Sequence, residues 1–234
     1  MQEVKLQENK TLSLAELLGE EFLSSNECVR ALTHRSVSSK NNERLEYLGD
    51  SLLGFFIANW LFNHFPTYPE GDLTRIRAHL VKKDTLAEIA REHNLAKHLV
   101  LGAGELKSGG LRRSSILADA LEALIGAVFV SKGYESACEF VEKLYTSRFE
   151  RIPTVDQLKD AKTRLQELLQ SNGENLPVYD LVEKHGKSGN ETFSVQCLIE
   201  NCQEIFVGMG TSRRKAEQEA AGLAFEFISK KISP

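Results

Sequence analysis

The chain has 234 residues, of which 41% are hydrophobic, enough for one or two domains with proper cores and too apolar for a disordered chain. It carries 29 basic and 33 acidic residues, a net charge of −4, so a polyanionic partner would have to be met by a local patch. Its four cysteines form no CxxC pair, residues 1–20 hold no apolar signal core and no apolar run approaches ~18 residues, which predicts a soluble, cytoplasmic protein without membrane contact.

Residues 12–149 read as helices, in the segments LAELLGEEFL, ERLEYLGDSLLGFFIANWLFNHF, DLTRIRAHLVKKDTLAEIAREH, SSILADALEALIGAVFVSKG and ESACEFVEKLYTSRFE. Asp72 and Ser114 or Ser115 stand where N-caps would, and Gly133 where a helix-ending glycine would. Pro153 interrupts the pattern, which predicts a helical domain over 1–152 and a short linker over 153–157. From 158 to 234 the texture changes. One amphipathic helix, with Asp160 as its cap, precedes three alternating segments, VYDLVEK, TFSVQCLIE and EIFVGMG, and a final helix. That order predicts a small α+β domain, α-β-β-β-α, with helices on one face of an antiparallel sheet.

Acidic residues single out two of the helices. Glu43, Glu46 and Asp50 share one helix face at i, i+3 and i+7, and Asp119 and Glu122 are the only acids between residues 106 and 134. Both helices are otherwise nearly apolar all round, which predicts burial. A glycine follows the last acid by about one turn in each, Gly54 and Gly126, and small residues there would let the helices approach closely. Acids in a first turn also complement the helix dipole, which alone would account for Glu43 and Glu46. Clustered, partly buried carboxylates are costly unless they take up protons or share a hard cation, and an all-oxygen set favours Mg²⁺ or Mn²⁺. Such clusters suit phosphodiester hydrolysis, where the metal activates water and stabilises the leaving oxygen. No histidine lies three residues after a glutamate, against a di-iron bundle, and no His-Asp dipeptide occurs, against a His/Asp phosphohydrolase.

Two basic segments complete the reading. GAGELKSGGLRRSS, residues 102–115, offers Lys107, Arg112 and Arg113 to a backbone phosphate but lacks the spacing of a nucleotide-binding loop. Arg213, Arg214 and Lys215 open the last helix, opposing its dipole at ~0.3–1 kcal/mol each, an arrangement that a phosphate at the helix start would explain. Thr163, Gln166 and Gln170 give the other helix a neutral polar face suited to 2′-hydroxyls across an RNA minor groove.

NERLEYLGDSLL and ILADALEALIGAVF resemble the two catalytic helices of bacterial ribonuclease III, and KTRLQELLQ with SRRKAEQEAA resembles the ends of a double-stranded RNA-binding domain. The resemblance implies Glu46, Asp119 and Glu122 as Mg²⁺ ligands, with Mn²⁺ able to substitute, and Asp50 and Glu122 as catalytic residues. It further implies supporting roles for Glu43 and Glu70, and a homodimer contact at Tyr47, where the family has Phe. The implied reaction is hydrolysis of double-stranded RNA to 5′-phosphate and 3′-hydroxyl ends with short 3′ overhangs, in ribosomal RNA precursor processing and mRNA processing or decay, without a nucleotide cofactor. One departure stands in the loop EKHGKSGNETF, where Gly189 replaces the family's frequent histidine. The alternative, a catalytically inactive double-stranded RNA-binding regulator, would be expected to have lost acids that this chain keeps.

Overall fold

Leu45, Gly49 and Leu53 recur at i, i+4 and i+8 along Glu43–His64 and are buried, and this stripe is what the longest helix pair is built on. The computed structural model describes residues 12–186 and 190–232 and divides the chain into two compact units, Met1–Pro153 and Thr154–Pro234. Residues 1–11, part of the segment read for a signal core, and Gly189 lie outside the described residues.

The first unit runs α1 (Leu14–Leu18), α2 (Glu20–Leu23), α3 (Asn26–Ala31), α4 (Glu43–His64), α5 (Glu70–Leu80), α6 (Lys83–Glu92), α7 (Ala103–Lys107) and α8 (Ser114–Phe149). α4 lies along α8, and α3 and α6 pack against α8 as well. The apolar face of α8, from Ile116 through Val128, is consequently buried almost without gaps. By length and composition α8 would be long and apolar enough to cross a membrane, but it is mostly covered by its neighbours and breaks at Gly133. Gly133 has φ 83° and ψ −173°, a conformation closed to side-chained residues, so the glycine read as a helix end marks a kink between two helical halves.

Three expectations are corrected here. LAELLGEEFL is two helices, parted at Gly19 (φ 82°), rather than one. The segment from Asp72 to His93 is likewise two, because Lys82 is extended and the end of α5 is claimed by side chains. The Thr85 hydroxyl donates to the His79 carbonyl (2.9 Å) and the buried Tyr145 hydroxyl to that of Leu80 (3.1 Å), satisfying acceptors that a continuing helix would have used. None of Asp72, Ser114 and Ser115 is a cap. α5 starts at Glu70 after an extended Pro69, with Asp72 paired to Arg75, and Ser114 accepts from Arg91 (2.8 Å).

The second unit begins with α9 (Val155–Leu158), a single helical turn in the stretch expected to be plain linker, held where the Thr154 amide donates to Gln157 (2.9 Å). α10 (Ala161–Ser171) follows, capped by Asp160, whose carboxylate accepts from the Thr163 amide at 2.9 Å. β1 (Val178–His185), β2 (Thr192–Leu198) and β3 (Phe206–Gly210) form an antiparallel sheet in the order β1-β2-β3, with a register irregularity between Leu181 and Glu183. α10 and α11 (Arg213–Ile232) cover one face of it over a core that includes Leu165, Leu169, Cys197, Phe206 and Ala220.

Between α4 and α8 the backbones all but touch. A Cβ on Gly49 would sit 1.8 Å from the Glu122 carbonyl oxygen, and one on Gly126 would sit 2.3 Å from that of Leu45, whereas a Cβ on Gly54 would meet nothing within 4 Å. Gly126 serves as expected, but its partner is Gly49 and not Gly54. Gly49→Ala should therefore cost on the order of 3 kcal/mol by forcing the helices apart. Gly54→Ala should be neutral or stabilise by ~0.5–1 kcal/mol through lower unfolded-state freedom. Urea unfolding of the two variants checks this, and equal stabilities would refute the assigned contact.

Candidate active site

The close approach of Gly49 and Gly126 brings the acids of the two helices together. One carboxylate oxygen each from Glu46, Asp119 and Glu122 lie within 4.8 Å of one another. They floor a cavity of about 530 Å³ that Asp50 and Glu43 also line. Glu46 and Asp50 stand one residue past the buried stripe of Leu45 and Gly49, so they reach the rim of the helix contact without entering the core.

The electrostatics follow from that crowding. The carboxyl of Glu122 is pushed up to about 8, first by burial and then by the charges of Asp50, Asp119 and Glu46. Glu46 is raised by burial, then by Asp119 and Glu43. Asp119 is raised by burial, against the opposing charges of Lys83 and Arg35, and of His34 where that ring is protonated. A donor set made only of carboxylate oxygens this close together fits a hard divalent cation. Glu46, Asp119 and Glu122 are the residues that could hold it.

Other expected residues fall as follows. Glu43 is at the mouth, paired with Arg35 (3.4 Å) and hydrogen-bonded to Asn41. Tyr47 is 79% exposed, and on the same helix Phe55 and Phe62 are 53% and 70% exposed, so α4 is not buried all round as its composition suggested. Glu70 does not join the acids of its own chain. It accepts from Thr74 (2.7 Å) beside a separate groove of about 390 Å³ lined by Phe55, Phe62 and Arg77. Of the three cations in the 102–115 segment, Arg113 alone lines the acidic cavity, where Glu105 holds it at 2.8 Å. His34 and Arg35 also line it and were not foreseen, because they follow α3 in a segment without periodicity and arrive there through long-range pairing of Thr33 with Val100.

In the second unit, Gln166 and Gln170 are exposed on α10, and Thr163 is half-buried on the same helix. The starts of α10 and α11 adjoin, since the Lys162 amide donates to Gln218 (3.2 Å) and its ammonium meets Glu217 at 2.8 Å. Arg213, Arg214 and Lys215 are exposed there. The expected conflict with the helix dipole is eased, because Arg213 pairs with Glu217 (2.9 Å) and Ser212 accepts from the Lys215 amide (3.3 Å).

Residues 25–149 match the family described as Ribonuclease-III-like, and residues 161–228 match the double-stranded RNA binding motif. The chain is 53% identical over 217 residues to the ribonuclease 3 of Vibrio vulnificus (strain CMCP6), covering 92% of this chain and 96% of that one. It is 51% identical over 211 residues to the ribonuclease 3 of Buchnera aphidicola subsp. Acyrthosiphon pisum (strain Tuc7), covering 90% and 93%. Among solved structures, the nuclease domain of ribonuclease III from Campylobacter jejuni matches at 38% identity and a TM-score of 0.54, over 58% of this chain and 99% of that one.

A raised carboxyl has a consequence for the metal-free protein. Glu122 keeps its proton in the folded chain up to about pH 8 but loses it near 4.5 when unfolded, so folding favours the protonated form. Stability should fall as pH rises between those values, since the native state there binds more protons. With chelator present, the melting temperature of the wild type should drop more steeply from pH 5 to pH 8 than that of Glu122→Gln. Parallel curves would show that this carboxyl is not the source.

Proposed function

Because the chain belongs to the bacterial ribonuclease III family, whose members cut double-stranded RNA endonucleolytically and depend on a divalent metal, we propose that its acidic cavity is the cleavage site and holds Mg²⁺, with Mn²⁺ able to substitute. The observation that carries this reading is the gathering of Glu46, Asp119 and Glu122 oxygens within 4.8 Å by two helices from distant parts of the chain. When bound, the cation lowers the pKa of a water and stabilises the leaving 3′-oxygen. The chain's own groups do the rest. Glu46, Asp119 and Glu122 would supply the ligands, and Glu122 would release its proton to solvent on becoming one. Asp50, exposed on the same cavity, orients the attacking water through a hydrogen bond. Arg35 and Arg113 at the walls offset the negative charge of the incoming phosphate.

The products are 5′-phosphate and 3′-hydroxyl ends with short 3′ overhangs, and the cellular role is in ribosomal RNA precursor processing and mRNA processing or decay, in the cytoplasm. A homodimer would place two such cavities on one duplex, one per strand. The exposed aromatic face of Tyr47, Phe55 and Phe62 is the surface that a second copy would cover, and Glu70 would act from beside it. Thr163, Gln166 and Gln170 with Arg213, Arg214 and Lys215 form the RNA-binding face of the second unit, with phosphates taken by the basic start of α11.

Chemistry and binding should separate by mutation. Glu122→Gln should keep or improve affinity for a duplex hairpin and lower single-turnover cleavage by several powers of ten, roughly what loss of a metal-held nucleophile costs. Arg214→Ala should still cleave at low salt, bind more weakly, and flatten the slope of log K against log salt by roughly 0.7–0.9. Gel shifts and end-mapping on one hairpin over a range of Mg²⁺ decide. Near-normal cleavage by Glu122→Gln at low Mg²⁺ would remove that residue from the site.

A further inference from the structure

His34 stands between α3 and α4, on the wall of the acidic cavity, with a ring whose protonation pattern is set by its neighbours. The backbone amide of Ser36 approaches its Nδ1 at 3.2 Å, and the Ser36 hydroxyl lies 2.8 Å from the same atom. An amide N–H can only donate, so Nδ1 must hold a lone pair. The hydroxyl is oriented the same way, because it already accepts from the Gly102 amide at 2.9 Å, which turns its own hydrogen toward the ring. The backbone is fixed too, since the His34 amide donates to the Val100 carbonyl at 3.0 Å. A Cβ on Gly102 would lie 2.5 Å from the Ser36 carbonyl oxygen, so the two segments meet at backbone contact.

The remaining proton of the neutral ring is therefore on Nε2, and no group among the described residues accepts it. The Ser36 amide and hydroxyl thus hold the Nδ1 edge of a half-buried imidazole that lines a cavity floored by carboxylates. A phosphodiester entering that cavity brings further negative charge against Glu46, Asp50, Asp119 and Glu122. A neutral donor can hold a phosphate oxygen there while leaving the acids free for the metal.

We propose that His34 is a catalytic residue of the cleavage site, its Nε2–H donating to a non-bridging oxygen of the RNA phosphate that is cut. The proposal rests on the cleavage-site reading above and adds a substrate contact to it. Loss of one such preorganised donor typically lowers a rate by ~10²–10³-fold.

Two substitutions divide the ring's halves. His34→Gln can present an N–H near the Nε2 position but loses the acceptor for Ser36, whereas His34→Asn can keep the contact with Ser36 but cannot reach the phosphate. With full-length protein in excess over a duplex hairpin, His34→Asn should cleave ~100-fold more slowly at unchanged affinity, and His34→Gln should recover most of the rate. If His34→Asn cleaves like wild type, the ring is only a clasp and the proposal is overturned. If both variants are slow, phosphorothioates at the cut position, assayed in Mn²⁺, decide. The diastereomer that slows the wild type should slow His34→Asn far less, since the contact is already gone, and equal slowing would overturn the proposal. Failure of the wild type to cleave the unmodified hairpin would instead sink the cleavage-site reading itself.

Discussion

Two glycines without side chains set the distance on which everything else in the first unit depends. With Gly49 and Gly126 facing each other, the backbones of α4 and α8 come so near that a single methyl group on Gly49 would lie 1.8 Å from the Glu122 carbonyl oxygen. That approach fixes how far Glu46 and Asp50 on one helix stand from Asp119 and Glu122 on the other. The energy holding four carboxylates in mutual repulsion comes from the apolar packing around them, each buried Leu or Ile contributing ~1.5–3 kcal/mol. Leu45, Leu53, Leu121, Leu124 and Ile125 flank the contact and are all buried. The fold is strained electrostatically at one place and secured by packing on both sides of it.

The acids were legible in the chain because charge is conspicuous in an apolar helix. Asp119 and Glu122 have no acidic neighbours for a dozen residues on either side, and their burial follows from Ile116, Leu117, Leu121 and Leu124 around them. The glycine contact was half legible. Spacing from the acid pointed to Gly54, whereas the helix face is set by the buried stripe of Leu45, Gly49 and Leu53, which puts Gly49 inside and Gly54 on a side that meets nothing. The breaks at Gly19 and Lys82 were missed because apolar periodicity continues through both, and the side chains that end α5, Thr85 and Tyr145, act from elsewhere in the chain. The aromatic face of α4 was misread for a related reason. Large apolar residues give a helix the composition of a core helix, so Tyr47, Phe55 and Phe62 offer composition alone no sign that this chain leaves them exposed.

The two units divide the work by charge. The first is acidic at its cavity, with His34, Arg35 and Arg113 set around the carboxylates, so that cavity offers phosphates little attraction on its own. The second carries its cations at the start of α11, where Ser212 and Glu217 hold the helix end and leave Arg214 and Lys215 exposed. A −4 chain can thus bind a polyanion without a basic overall composition, by keeping attraction in one unit and chemistry in the other.

Glu122, driven to about 8 by burial and by three neighbouring acids, is expected to release its proton to solvent when a divalent cation takes its place. Calorimetric titration of Mn²⁺ into the metal-free protein at pH 7, in buffers of different ionisation enthalpy, counts protons released per ion bound. The wild type should release close to one proton, and Glu122→Gln should bind more weakly and release none from this site. Binding by the wild type without proton release, or undiminished binding by Glu122→Gln, would contradict the account.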